Sequence, residues 1–237
     1  FNQTTVYLYS DKNYIKSTCA TVVSKDIFSL GGLAEVATHE NERGNGFARL
    51  LCKTALEKFQ ENNGEVLFLG TGNPIAEKLY LKLKWQKINN SNVMVNIKKD
   101  IKFEQFLDGF FEENSPISIV ESDPSARIPI IPIIIYPHQS EILDCNAKIF
   151  STKYRNQSSC MGLYNKYNKL KTGNKGNWFI AKTKSSKIIG IASSKKIDDI
   201  TYRIDGFIHP NFNQKLLALI DKSIKWSIKK KAKIIKA

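Results

Sequence analysis

A glycine-rich stretch directly before a helix-like segment is the feature that most constrains this chain. Arg43, Gly44, Asn45 and Gly46 stand together, and Phe47 opens a run with helical periodicity. Glycine adopts backbone angles that other residues avoid, so consecutive N–H groups can converge at the positive end of the helix. The stretch therefore predicts an anion-binding loop that leads into a helix.

The segments on either side of this loop predict a mixed α/β fold. Three alternating segments precede the loop, and a helix is expected over 46–62. The nearly all-apolar segment 65–70 predicts a strand buried on both faces. Pro74 suits the first turn of a second helix. Two more strands complete the order β-β-β-α-β-α-β-β over residues 1–98.

The pattern restarts after a stretch of mixed character. Residues 99–127 predict a linker with one aromatic helix and a loop, and residues 128–237 predict the order β-α-α-β-β-β-α-β. In the second half, 131–137 is expected to be a strand and 139–152 a helix. The two halves share the block β-β-β-α-β, which favours a tandem duplication of one fold. The alternative is a single mixed α/β domain.

The composition narrows the classes of partner. The chain has 36 basic and 22 acidic residues, a net charge of +14, which would suit a nucleic acid or a membrane surface. Because the lysines are scattered among many asparagines and isoleucines, an AT-rich coding sequence explains the charge better. A nucleic-acid partner is therefore not favoured. No apolar run approaches the roughly 20 residues of a membrane-spanning helix, so no membrane partner is expected.

The four cysteines lie far apart and form no C-x-x-C pair. They predict neither a metal site nor a disulfide framework, and free thiols suit a cytoplasmic protein. The sequence does not indicate an oligomeric state. The chain begins at Phe1 without an initiator methionine or signal peptide, which suggests a fragment or a trimmed chain.

Two motifs together resemble the GNAT superfamily of acetyl-CoA-dependent N-acetyltransferases. The stretch "VATHENERGNGFARLL" resembles its central motif, a strand and a loop before R-G-x-G-x-A opens a helix. The stretch "LFLGTGNPIAEKLYLKLKW" resembles the motif that follows, with Lys84-Trp85 where the family has Gly-Phe. The nucleotide-binding alternatives fit less well, because Arg49 replaces the third glycine of a Rossmann loop and no G-K-[ST] is present. The resemblance covers residues about 5–98 and implies a GNAT-like fold there. It extends to the second half by topology only, which would make two tandem copies of the fold.

The resemblance also implies roles for particular residues. The loop N–H groups would hold the pyrophosphate of coenzyme A, and the preceding strand would splay from 65–70 and pair with the pantetheine arm. Tyr80 would protonate the departing thiolate, and Glu35 is the candidate base. The implied coenzyme contacts are Val36, Ala37, Thr38, Arg43, Gly44, Asn45, Gly46, Phe47, Ala48 and Asn73.

Each candidate also has a structural interpretation. Tyr80 fits an amphipathic helix with its ring in the core, and Glu35 fits a solvated strand carboxylate. His39 fits a solvated loop and Cys52 a core position. The strand and two helices that usually begin the family's fold are absent or lie upstream of Phe1.

The second half lacks the glycine loop, since "HPNFNQKLLAL" stands in its place. Its coenzyme site is expected to be lost, which makes residues 128–237 a degenerate GNAT-like domain. That domain could shape the acceptor pocket, bind a partner or only stabilise the first half.

The sequence thus predicts an N-acetyltransferase that uses acetyl-CoA as co-substrate and needs no metal. The acceptor is a primary amine, either a small molecule or a peptide. A different acyl group is equally compatible with the sequence. The alternative is a non-catalytic basic module that binds nucleic acid or protein.

Overall fold

A computed structural model describes residues 1–99 and 101–237. The first half contains a six-stranded sheet in the order β1-β2-β3-β4-β6-β5. Its strands are β1 (Asn2–Asp11), β2 (Tyr14–Ser24), β3 (Leu30–Thr38), β4 (Val66–Gly70), β5 (Gln86–Lys87) and β6 (Val93–Ile97). Its helices are α1 (Phe47–Glu61) and α2 (Pro74–Lys82).

The second half contains a five-stranded sheet in the order β13-β12-β11-β10-β7 and a separate β8-β9 hairpin. The strands are β7 (Ser118–Glu121), β8 (Ile142–Asp144), β9 (Ile149–Phe150), β10 (Gly176–Lys182), β11 (Ile188–Lys196), β12 (Thr201–Ile208) and β13 (Ile234–Lys236). The helices are α3 (Phe103–Phe111), α4 (Ile130–Ile135), α5 (Leu163–Thr172) and α6 (Leu216–Lys229).

The predicted elements of the first half are confirmed in kind and order. Helix α1 buries Leu51, Cys52, Ala55 and Phe59, the periodic stripe that an amphipathic helix turns toward a sheet. Helix α2 begins at Pro74, as predicted.

Two elements predicted for the second half are wrong. Residues 131–137 were expected to form a strand, yet α4 is a helix with all six residues buried. Isoleucine favours strands, but a short apolar run carries no periodicity, and packing on every side overrides the propensity. Residues 139–152 were expected to form a helix and instead contain the β8-β9 hairpin. The Asp144 carboxylate accepts from the N–H of Ala147 at 3.0 Å and holds that turn.

The predicted linker 99–127 contains the expected helix α3 and a strand that was not predicted. Strand β7 pairs antiparallel with β10 through Ser118–Glu121, so the second sheet begins ahead of residue 128. The segment looked like a loop because Pro116 and Pro124 flank a strand of only four residues. It occupies a sheet edge, where a short strand is well tolerated.

The two halves repeat one topology. In each, an antiparallel three-stranded meander leads through a helix into a strand that pairs parallel with the last meander strand. The parallel pairing covers only three residues in both halves: Leu30–Gly32 with Val66–Phe68, and Thr201–Arg203 with Ile234–Lys236. The predicted block β-β-β-α-β is therefore present twice.

The halves also share a hydrophobic core. One face of the first sheet packs under α1 and α2, and the other contributes Leu30, Val66 and Phe68 to a cluster that includes Phe111 and Trp178 of the second half. Fully burying a side chain of this size stabilises a fold by roughly 1.5–3 kcal/mol. Among the helices of the described residues, none has the length and apolar content needed to cross a membrane.

Candidate functional site

Strands β3 and β4 diverge and leave a V-shaped opening in the first sheet. Their pairing stops at Gly32 and Phe68, whereas β3 continues to Thr38 with β2 as its only strand partner in the described chain. One backbone edge of β3 beyond Gly32 is therefore open. The expected splay of this strand from residues 65–70 is confirmed.

A β-bulge lies within the opening. Glu35 has a φ of 53°, and the register shifts so that Thr18 faces Ala37 while Ala20 faces Ala34. The Thr18 hydroxyl donates to the Glu35 carbonyl at 2.9 Å. A bulge bends the strand that carries it, so Val36, Ala37 and Thr38 leave the line of β4. The side chain of Glu35 is exposed.

The glycine loop has the predicted backbone. Gly44 and Gly46 have φ values of 87° and 80°, and a Cβ built on either would meet no atom within 4 Å. Gly46 caps α1 without a side-chain hydrogen bond, and the first intrahelical bond runs from Leu50 N–H to Gly46 O at 3.0 Å. Because a helix leaves its first N–H groups without intrahelical partners, those of Phe47 and Ala48 could donate hydrogen bonds to an anion.

The charges around the loop are compatible with an anion. Arg43 is exposed and donates from Nε to the Thr38 carbonyl at 3.4 Å. Glu42 lies 3.3 Å from the Lys16 ammonium and accepts from the Asn45 amide at 3.4 Å, so a cation offsets its charge. The first turn of α1 contains no acidic residue.

Three further loop and strand residues pack rather than protrude. The ring of Phe47 stacks on Tyr9 at 4.1 Å, Ala48 is half-buried, and Val36 packs on the cluster beneath α1. His39 is exposed, and its Nδ1 accepts from Asn41 N–H at 3.4 Å. This contact gives His39 a capping role in the loop.

Asn73 lies where β4 leads into α2. Its side-chain oxygen accepts from the N–H of Ile75 at 2.9 Å and caps the helix. Within the part of the chain that the structure describes, the side-chain nitrogen of Asn73 makes no hydrogen bond, so it can donate to a ligand. Ile75 is 81% exposed in the next turn, which leaves an apolar surface beside the cap.

Tyr80 is a core residue whatever its chemical role. Its side chain is 5% exposed and its ring centroid lies 5.8 Å from that of Trp85. Burial raises the pKa of its phenol, and the neighbouring thiols of Cys52 and Cys19 raise it further. The phenol therefore stays protonated at neutral pH. It belongs to the same buried cluster on which Val36 packs.

A segment of the second half that was not predicted lies against the opening. A Cβ on Gly32 would overlap the sulfur of Met161, and a Cβ on Gly70 would lie 2.8 Å from Ser159 Cα. The N–H of Asn92 donates to the Gln157 carbonyl at 3.0 Å. We call residues 157–161 the covering loop. The only sequence signal was the pair of glycines inside predicted strands, which often marks a close approach of another backbone.

The matching loop of the second half keeps one feature of the first. His209 accepts from the N–H of Asn211 at 3.3 Å, just as His39 accepts from Asn41 two residues on. The glycines are absent, and α6 begins after Lys215 without a side-chain cap. Phe212 is buried in that loop. The second loop therefore contains a packed aromatic ring where the first has two glycines.

Carboxylates also lie beside this second loop. Glu112 and Glu113 line a depression of about 440 Å³ between the end of α3 and residues 210–215. Burial raises the pKa of Glu113, but hydrogen bonds from Ser115, Ser185 and Lys187 outweigh it and lower the value to about 2. The Lys187 ammonium lies 3.3 Å from the Glu113 carboxylate, so a cation offsets this charge as well.

Metal ligands do not converge in the described residues. Within 1–99 and 101–237 no group of three or more His, Cys, Asp or Glu side chains is placed to hold an ion.

The diverging strands and the glycine-capped helix both lie within a segment that matches a known family. Residues 17–85 match the model of the acetyltransferase (GNAT) family, a span that includes the bulge, the loop, Asn73 and Tyr80. This segment thus matches the family that the two motifs predicted. No curated protein matches the sequence.

Several solved structures resemble the chain at low identity. A GNAT-family acetyltransferase from Staphylococcus aureus Mu50 is 20% identical over 52% of this chain and 74% of its own, with a TM-score of 0.39. A ribosomal-protein-alanine N-acetyltransferase from Brucella melitensis is 16% identical over 39% of this chain and 67% of its own, with a TM-score of 0.34. A tandem GNAT protein from the clavulanic acid biosynthesis pathway is 9% identical over 97% of this chain and 71% of its own, with a TM-score of 0.33.

The coverage of the solved proteins is partial. In three of the matches the chain spans 58–67% of the solved protein's own length. The family assignment therefore depends on the model match and on the geometry of residues 17–85.

Proposed function

We propose that the chain transfers an acetyl group from acetyl-CoA to a primary amine, with its reaction centre in residues 1–98. One observation carries the proposal. The uncapped N-terminus of α1, opened by two glycines at positive φ, lies at the end of a strand whose backbone edge is free. Such a pair of features suits a ligand with a pyrophosphate at one end and an extended amide chain at the other.

Residues of the loop would bind the pyrophosphate. The N–H groups of Phe47 and Ala48 supply hydrogen bonds along the helix dipole, and the Arg43 guanidinium supplies charge. Backbone groups of Val36–Thr38 would pair with the pantetheine amides. The free amide nitrogen of Asn73 would donate to the coenzyme.

Tyr80 would act as the general acid. The attacking amine must be neutral, and the carbon–sulfur bond breaks as the amine adds to the thioester carbonyl. A phenol that stays protonated can donate to the thiolate as charge develops on sulfur. A backbone N–H of the free β3 edge would stabilise the oxyanion. Glu35 is the candidate base because its exposed carboxylate lies at the bulge.

The second half would serve as a degenerate domain without a coenzyme site of its own. The buried Phe212 and the absence of glycine from residues 209–216 support this interpretation, since the matching loop lacks the features that suit a phosphate in the first half. We assign the linker to residues between β6 and β7. The covering loop would then form one wall of the acceptor pocket of the first half.

Calorimetry with acetyl-CoA tests the coenzyme assignment. We expect saturable heat at a single site and a melting temperature that rises with ligand concentration, because the ligand binds only the folded chain. Desulfo-CoA lacks the thioester but keeps the pyrophosphate, so it serves as the matched ligand and should also bind. A folded chain that gives neither heat nor a thermal shift at millimolar acetyl-CoA would contradict the proposal.

Replacing Met161 with alanine tests the wall formed by the covering loop. Removing a side chain that fills the space over Gly32 should favour wider amines, shifting the ratio of rates with benzylamine and ethylamine on the order of tenfold. Met94→Ala is the control, since Met94 is the other methionine and lies under α1 and α2. An unchanged ratio in Met161→Ala, with acetyl-CoA still bound, would rule out the wall without affecting the coenzyme assignment.

A further inference from the structure

A depression in the second half is lined by lysines and by no acidic residue. It has a volume of about 450 Å³ and lies between α5, the β8-β9 turn and the ends of β10 and β11. A concave site of this size is within the range of small-molecule pockets. Its charged lining consists of Lys148, Lys166, Lys169, Lys175 and Lys195. We call these five residues the lysine pocket.

The five lysines come from separate parts of the chain. Two of them, Lys166 and Lys169, lie one turn apart on α5. Lys148 lies in the turn between β8 and β9. Lys175 immediately precedes β10, and Lys195 lies near the end of β11. The close approach of Lys175 to β11 is fixed by its carbonyl, which accepts from the N–H of Lys196 at 2.6 Å. Their convergence therefore follows from the fold, and the scatter of lysines along the sequence did not indicate it.

The charges of the lysine pocket are unbalanced. Ion pairs in the described residues engage other lysines, such as Lys171 with Glu121 and Lys196 with Asp199, but none of these five. The Lys166 ammonium donates to the Lys148 carbonyl at 3.4 Å and lies 5.6 Å from the centre of the Phe150 ring. Partial burial lowers the pKa of Lys166. Like charges held together without a counter-ion repel one another, and a bound anion would relieve that repulsion.

The polar group at the base of the lysine pocket already makes hydrogen bonds within the protein. Asn146 is 5% exposed. Its amide donates to the Ser193 hydroxyl and to the Arg203 carbonyl, each at 3.0 Å, and accepts from Arg203 Nε at 2.8 Å. Leu170 and Ala147 complete an apolar base. The lysines therefore provide the free hydrogen-bond donors to a ligand.

We propose that the lysine pocket binds a soluble compact polyanion that carries several adjacent phosphate groups. Lysine ammonium groups recognise phosphate as point charges and impose little orientation. Proteins that hold single-stranded nucleic acid add aromatic rings for base stacking, and the lining of this pocket contains none. A free polyphosphate group therefore fits the site better than a nucleic-acid strand.

Titration with inorganic triphosphate tests the proposal. The glycine loop could also bind phosphate, so every titration uses a chain that carries Gly46→Glu. Binding should be saturable and should weaken as salt rises, because released counter-ions accompany phosphate contacts. The double variant Lys166→Gln/Lys169→Gln should weaken it about tenfold or more, as expected when two direct charge contacts are lost.

The matched control is Lys222→Gln/Lys229→Gln on α6, which removes the same charge from one side of a helix and should leave the affinity unchanged. Equal weakening by both double variants would mean general attraction to a basic surface and would overturn the proposal. Two further arms separate the phosphate sources. One uses a single-stranded RNA oligonucleotide, and the other uses phosphatidylcholine vesicles with and without a phosphoinositide. If the chain prefers the RNA to triphosphate, or prefers the vesicles only when they contain the phosphoinositide, the proposal of a soluble ligand is wrong.

Discussion

Replacing Gly46 with glutamate should weaken acetyl-CoA binding by about 100-fold or more, which corresponds to about 2.7 kcal/mol. The new carboxylate would lie at the N-cap of α1, where the pyrophosphate is expected to bind. Two negative charges placed close together in a partly desolvated site repel each other strongly. The fold should survive, since a Cβ at Gly46 meets no atom within 4 Å. Calorimetry of the variant beside the unmodified chain measures the loss.

Two control variants separate charge from backbone strain. Gly46→Ala imposes the same positive φ, at a cost of about 1 kcal/mol, without adding charge, and it should retain most of the affinity. Gly109→Glu adds the same charge in α3, where a Cβ also meets open space, and it should bind normally. Full affinity in Gly46→Glu would remove the loop from the coenzyme site.

Replacing Tyr80 with phenylalanine should lower kcat by about 100-fold, the usual contribution of a general acid. The ring stays in the core beside Trp85, so the KM for acetyl-CoA and the melting temperature should change little. Steady-state release of free thiol from acetyl-CoA in the presence of a primary amine measures both constants.

The control for this variant is Tyr167→Phe. Tyr167 is fully buried in the second half, where its hydroxyl faces the buried Asp144 carboxylate. Its loss tests the removal of a buried phenol as such and should leave kcat unchanged. If Tyr80→Phe keeps the normal kcat, the ring is only a packing residue, as its position in the core would also allow.

Local features of the sequence were enough to predict the first half. These signals each determine the structure of the few residues around them. They are the glycines at positions 44 and 46, the periodic apolar stripe of α1 and the proline that begins α2. Each was found where it was expected. The splay of β3 followed from the motif, and the bulge at Glu35 added its geometric cause.

Features that depend on distant parts of the chain were missed. The isoleucine run of α4 has no period, so only the surrounding core decides that it is helical. Strand β7 is defined by its pairing with β10, almost 60 residues later in the chain. The covering loop and the lysine pocket both arise from tertiary approach, which glycines at 32 and 70 only hinted at.

The core that the two halves share limits how either can change. Phe68 and Leu30 of the first half are covered by side chains of the second, so separating the halves would expose a large apolar surface to water. We infer that they melt together as one cooperative unit. The second half, which has no glycine in residues 209–216, is then free to vary at that loop but not at its contact face. We expect substitutions in the second half to accumulate fastest at that loop and slowest at the residues that cover Phe68. Loss of the whole second half would expose the core of the first.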